Sequence, residues 1–165
     1  VNNSDGFRVI DGDVVPTLTG ALSAQFPGSQ VFLGLGRDST GLAQSGSFLY
    51  DLSSNAVRPG PTLLTFRVSA QASRSARGVL IAGGRNNSAL VTAGEEVIID
   101  SASPDGRVEL VGALQNPRDQ FRMTSLIDGR VIVSGGQDDS GLVNQLEIFS
   151  NGSFQVVAPS DRASS

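Results

Sequence analysis

The sequence predicts an all-β chain built from a repeated four-stranded antiparallel unit. Glycine occurs 20 times and helix-favouring runs are scarce, so strands are short and turns frequent. A run of strand formers closes on a glycine pair in Gly78-Val-Leu-Ile-Ala-Gly-Gly84 and again in Asp128-Gly-Arg-Val-Ile-Val-Ser-Gly-Gly136, with a degenerate copy in Gln30-Val-Phe-Leu-Gly-Leu-Gly36. These copies lie roughly 50 residues apart, the period of a β-propeller blade of four short strands.

Taken in order, Phe7–Asp11 and Val14–Thr19 are apolar runs around Gly12-Asp13, a half unit over residues 1–20. Residues 21–65 form the first full unit: Ala21–Phe26, a turn at Pro27–Gln30, Val31–Leu35, a polar loop Arg37–Ser45, Ser47–Asp51, and Ala56–Pro59. Residues 66–117 repeat the order with Phe66–Ser73, Val79–Ala82, the loop Arg85–Ala93, Glu95–Asp100, a turn at Ser103–Gly106, and Arg107–Val111. Residues 118–160 repeat it with Phe121–Ile127, Arg130–Ser134, Gln137–Asn144, Gln145–Ser150 and Phe154–Ala158. Asp128-Gly129 supplies the positive φ of a two-residue hairpin turn. Asp161–Ser165 opens a further unit, which makes about three to three and a half blades in all.

Composition narrows the function classes. Charged residues are 17% and apolar residues 39%, the balance of a chain with a packed core. No apolar run approaches the roughly 18 residues of a membrane span, so no membrane insertion is expected. A net charge of −4 and pI near 4.7 argue against a nucleic-acid surface. Cysteine and histidine are absent, which removes thiolate nucleophiles, zinc-thiolate sites and the commonest general base. All 12 basic residues are arginine. Glu95 and Glu96 are adjacent on a strand and point to opposite faces, so they cannot work as an acid–base pair. Asp138-Asp139 lacks the spaced ligands of a calcium loop, and Asp11-Gly12-Asp13 reads as a turn. No catalytic residue, metal site or cofactor is expected.

The glycine pairs Gly83-Gly84 and Gly135-Gly136, the later Tyr50-Asp51, Ile99-Asp100 and Phe149-Ser150, and Arg118 ahead of Asp128-Gly129 resemble the kelch-repeat family. The resemblance covers nearly the whole chain and implies a kelch-like β-propeller portion of the bacterial secreted or surface type. The chain departs from the family in lacking a fourth-strand tryptophan, in Gly34-Leu35-Gly36, and in Ser150 where the aspartate would stand. Kelch-like copper oxidases need histidines and a cysteine, and this sequence has neither.

Antiparallel order gathers the second-to-third-strand loops and the unit linkers at one end. That places Arg37, Asp38, Arg85, Asn86, Asn87, Gln137, Asp138 and Asp139 on a common rim, with Arg118, Arg67 and Arg162 near them. Arginine and carboxamides there suit a glycan, a carboxylate or a partner's backbone. The expected function is a non-catalytic scaffold of a secreted or cell-surface protein, for protein–protein interaction or self-assembly into a filament or repeat array. The alternative is the accessory propeller of a secreted carbohydrate-active enzyme or glycan-binding protein. The expected partners are neighbouring blades of a longer chain or identical subunits, since half-units at both ends leave strand edges and apolar residues such as Val14, Val15 and Leu18 in need of cover. Asn2, Asn86, Asn87 and Asn151 stand in or beside sequences of glycosylation form.

Overall fold

The computed structural model describes residues 18–86 and 89–157. The expected half unit at 1–20 falls almost wholly outside this range, as do Asn87 and Asp161–Ser165. Every regular element among the described residues is a strand. The first unit contains β1 (Leu22–Gln25), β2 (Gln30–Gly34), β3 (Ser47–Asp51) and β4 (Ala56–Pro59), paired in that order. The second contains β5 (Gln71–Arg74), β6 (Val79–Ala82), a small hairpin β7 (Arg85–Asn86) and β8 (Ala89–Leu90), then β9 (Ala93–Asp100) and β10 (Ser103–Ala113). The third contains β11 (Arg122–Ser125), β12 (Val131–Ser134), the hairpin β13 (Gln137–Asp138) and β14 (Gly141–Leu142), then β15 (Glu147–Ser150) and β16 (Ser153–Val156). Each unit is a four-stranded sheet with antiparallel neighbours in chain order, the two small hairpins standing apart.

The units are equivalent residue by residue. Val31 pairs with Tyr50, Val79 with Val97 and Val131 with Phe149, so Val31–Leu35, Val79–Ala82 and Arg130–Ser134 are equivalent strands, as the sequence predicts, with Val131 level with Val31 and Val79. The second sheet lies between the other two. Val79, Ile81 and Val97 join Phe26, Phe32, Leu35 and Leu49 in one core, while Leu80, Ala82 and Leu114 join Phe121, Val131, Val133 and Phe149 in another. Strand alternation explains how one strand serves both cores, and it is why all four residues of β6 are buried. Each such side chain removed from water contributes about 1.5–3 kcal/mol. The first strands β1, β5 and β11 are neighbours, so the sheets are arrayed edge by edge along these strands as well as face to face.

The structure corrects several expectations. Phe66–Ala70 belongs to a linker, and only Gln71–Arg74 is strand, because Ser69 takes a positive φ of 56° that breaks the ladder. Ser103–Gly106 lies within β10 at a register shift, so the outer hairpin is longer in the second unit. Val97-Ile98, and not Ile99-Asp100, therefore stands level with Tyr50-Asp51 and Phe149-Ser150. Asp128-Gly129 is the tip of a longer turn closed by Leu126 N to Arg130 O at 2.8 Å, and only Gly129 of the two has positive φ.

The glycine pair has two distinct jobs. The first position holds Leu35, Gly83 or Gly135, at φ of 58°, 62° and 67°; a side chain is tolerated at Leu35, whereas a Cβ on Gly83 would lie 2.4 Å from Phe121 Cε1 and 2.7 Å from Arg118 O. The second holds Gly36, Gly84 or Gly136, and a Cβ on each would collide with its own unit's linker: 2.8 Å from Thr19 O, 2.4 Å from Val68 O and 2.5 Å from Asp119 O. Gly84→Ala is expected to cost at least about 2 kcal/mol, from overpacking plus left-handed strain. Gly135→Ala, with nothing within 4 Å of its Cβ, should cost about 1 kcal/mol. Urea unfolding of the two variants checks the difference.

Candidate functional site

The loops after β2, β6 and β12 are fastened to the linkers ahead of β1, β5 and β11 by matched backbone bridges. Thr19 pairs with Arg37, Val68 with Arg85 and Asp119 with Gln137. In each, both N–H groups donate across the pair at 2.8–3.0 Å. Arg37, Arg85 and Gln137 thus occupy three equivalent positions at one end of the sheets. Asp38, Asn86 and Asp138 follow them, and the two aspartates organise their loops. Asp38 Oδ1 accepts from Thr40 N at 2.9 Å, Thr40 Oγ1 at 2.6 Å and Leu42 N at 3.1 Å, while Gln44 Nε2 donates to Oδ2 at 2.6 Å. Asp138 Oδ1 accepts from Ser140 N at 2.7 Å and Gly141 N at 3.0 Å. The Thr40 hydroxyl, above all, holds the Asp38 carboxyl below its ordinary range.

The arginines at this end are tied to their surroundings. Arg37 Nη1 donates to Gly41 O at 2.8 Å. Arg85 crosses from the second unit to the third, with Nε 2.6 Å from Asp119 Oδ2 and Nη2 2.7 Å from Asp139 Oδ1. Those two carboxylates raise the Arg85 pKa, the bond to Asp139 most of all. Between the first and second units lies a cleft lined by Arg37, Leu42, Gln44, Phe66, Val68 and Arg85. Sequence reasoning missed Gln44, Phe66 and Asp119. Phe66 opens the expected strand Phe66–Ser73, yet it lies in the linker and is exposed at the cleft. Its position just ahead of the linker arginine, outside the alternating strand, is the signal that could have found it.

Arg118 is not a rim residue. It is 0% exposed, as is Arg67, its equivalent. Arg118 Nη2 lies 2.8 Å from Glu147 Oε1, and Nη1 donates to Gly135 O and Gln145 O. Arg67 Nη2 lies 2.5 Å from Glu95 Oε1, and Nη1 donates to Gly83 O and Ala93 O. Glu95 accepts from Leu64 N and Thr65 N, and Glu147 accepts from Gln115 N and Asn116 N. In each case the linker residue and the third strand are locked by one buried pair. Burial pushes the Arg67 pKa down, and the Glu95 carboxylate opposes that. The first unit has Leu18 and Phe48 at these positions, lining one shallow depression together.

No family model matches the chain, and no curated protein matches it. Among solved structures it is similar to one described as the structure of YjhT, with a TM-score of 0.68 and 15% sequence identity, over 87% of this chain and 46% of the other. The chain thus spans less than half the length of that protein, and the likeness shows a shared fold.

Arg118→Met should destabilise by about 3–5 kcal/mol, because Glu147 is left as an unpaired buried charge. The double variant Arg118→Leu/Glu147→Phe, which copies the first unit, should cost less than that single change in chemical denaturation. Asp38, whose folded pKa is depressed, contributes stability that is present above its ordinary value of 3.8 and lost as pH falls below it. The protection factors of the Thr40 and Leu42 amides against hydrogen exchange should therefore fall as the pH drops below that value, and Asp38→Asn should flatten the dependence.

Proposed function

We propose that this chain is a portion of a kelch-like β-propeller acting as a non-catalytic scaffold of a secreted or cell-surface protein, with further units of the same kind stacked on its outer sheet faces. One observation carries the reading. Val79, Ile81 and Val97 are fully buried against the first sheet, whereas their equivalents Val31, Leu33 and Tyr50 are only half-buried. On the other side, Leu80 is fully buried against the third sheet, whereas its equivalent Ile132 is half-buried. Positions that carry core side chains in the middle unit carry the same kind of side chain on both outer units. The neighbours are blades of a longer chain or identical subunits, and the length of the similar solved protein favours more units than the described residues contain. The rim charges fit a scaffold, since Arg85 joins adjacent units through Asp119 and Asp139.

A second reading, glycan binding at the rim, is favoured by Phe66 exposed beside Arg37 and Gln44 in one cleft. An aromatic face with flanking hydrogen-bond donors suits a sugar ring.

Sedimentation velocity over a dilution series tests the scaffold reading. The chain should associate in a concentration-dependent way, and Leu33→Asp or Ile132→Asp should weaken association while leaving the β-sheet circular dichroism unchanged. A dilution-resistant monomer with a sharp thermal transition would overturn it.

A further inference from the structure

The loop rim is built differently at the two inter-sheet interfaces, and the repeat lets the two be compared position by position. Gln44, Val91 and Val143 are equivalent, because the N–H of each donates at 2.9 Å to the carbonyl of its corner glycine, Gly36, Gly84 or Gly136. Val91 and Val143 are buried, whereas Gln44 is polar and half-buried. Ala43 pairs with Arg37 where Leu90 pairs with Arg85 and Leu142 with Gln137, so the first unit carries the smaller side chain. The linker into the second sheet holds Phe66 and Val68, and the linker into the third holds Pro117 and Asp119 at those positions.

These exchanges leave Arg37 without the partners that its equivalent has. Arg85 reaches across the second interface, with Nε on Asp119 at 2.6 Å and Nη2 on Asp139 at 2.7 Å. Across the first interface Val68 stands in place of Asp119, and Asn87 takes the sequence position of Asp139. Arg37 is exposed, and its Nη1 donates to Gly41 O at 2.8 Å. Its Nε and Nη2, the two atoms that hold carboxylates in Arg85, have no partner among the described residues. The cleft that Arg37 lines has a volume of about 340 Å³. Two apolar side chains in its wall are open to a ligand, Leu42 at 66% and Phe66 at 40% exposure. Gln44 Nε2 donates to Asp38 Oδ2 at 2.6 Å and to Leu42 O at 3.4 Å, while its Oε1, not closed off from solvent, accepts nothing.

We propose that this cleft binds a hexuronate residue of an acidic glycan, with its carboxylate on Nε and Nη2 of Arg37 and a hydroxyl donating to Gln44 Oε1. The inference rests on the glycan reading of the rim and is independent of the scaffold reading. Three unfilled demands select the class together. A carboxylate gives the Arg37 fork what Asp119 and Asp139 give Arg85, a charge-assisted pair of matched planar geometry. A sugar hydroxyl supplies the donor that Gln44 Oε1 lacks, which a bare carboxylate cannot. The C–H face of a pyranose ring covers Phe66 and Leu42, apolar surface otherwise left against water. The carboxylates of the bordering loops are already engaged. Asp38 accepts from Thr40 N, Thr40 Oγ1, Leu42 N and Gln44 Nε2, and Asp119 and Asp139 are paired with Arg85.

Amide chemical-shift titration of the full chain with D-glucuronate and D-galacturonate, against D-glucose, D-galactose and acetate, tests it. At least one uronate should bind about tenfold more tightly than its neutral parent sugar and than acetate, with shifts centred on Leu42, Gln44 and Phe66. Arg37→Gln, which copies Gln137 of the third unit, should bring uronate affinity down to that of the neutral sugar with the spectrum otherwise kept. Val68→Asp, which copies Asp119, should do the same by giving Arg37 a carboxylate from its own chain. Arg122→Gln, at an exposed arginine outside the cleft, should leave the preference unchanged. Binding of neutral sugars with no preference for either uronate would overturn the proposal and leave the glycan reading standing, whereas absence of binding by every sugar would overturn both. Acetate binding as tightly as the uronates, a uronate preference retained in Arg37→Gln, or its loss in Arg122→Gln would also overturn the proposal.

Discussion

The buried pairs Arg67–Glu95 and Arg118–Glu147 are the contacts on which the arrangement of units depends. Each carboxylate takes two linker N–H groups that strand pairing leaves unused, and Nη1 of each guanidinium takes two carbonyls, one from the glycine corner and one from the residue that leads into the third strand. A buried ion pair by itself contributes little, because desolvation offsets attraction. Here the pair also satisfies buried backbone groups, which would otherwise cost about 1–3 kcal/mol each. The linker is thereby fixed over the third strand, and the first strand of the unit starts from a defined point.

The glycine corner follows from that placement. With the linker pressed against the end of the second strand, the residue there has no room for a side chain, hence Gly36, Gly84 and Gly136. The backbone bridges Thr19–Arg37, Val68–Arg85 and Asp119–Gln137 close the same corner. One compact junction in each unit therefore sets the linker, the strand start and the direction in which the rim loop leaves. In the first unit Leu18 and Phe48 replace the charged pair while the corner glycine and the bridge remain. The corner is the invariant part and the ion pair one means of bracing it.

Period, strand order and the equivalence of β2, β6 and β12 were legible because strand formers ending on glycine leave a local mark at every copy. What was not legible is long-range. Arg118 looked like a rim cation because arginine is usually exposed, and its partner Glu147 lies 29 residues further on. Glu95 and Glu96 were rightly separated by strand alternation, yet nothing local says that both are buried. The small rim hairpins β7–β8 and β13–β14 were not legible because Asn-Asn-Ser and Asp-Asp-Ser read as turns with apolar residues on one side only. The extra length of β9 and β10 escaped because Pro104 and Gly106 are turn signals, and a bulge accommodates them here.

Repetition makes departures informative. Three units with one register supply two inter-sheet interfaces that can be compared position by position, and any difference is a choice the backbone did not force. Apolar replacements such as Leu18 and Phe48 relax a polar brace and carry no penalty from buried charge. The reverse replacement, Gln44 in place of Val91 and Val143, introduces a carboxamide at a position that elsewhere is closed by hydrocarbon. Since a packed core gains from apolar contact and loses from an incompletely bonded polar group, stability alone would drive that position toward valine. The rim between the first and second sheets is thus where folding and some other demand part company.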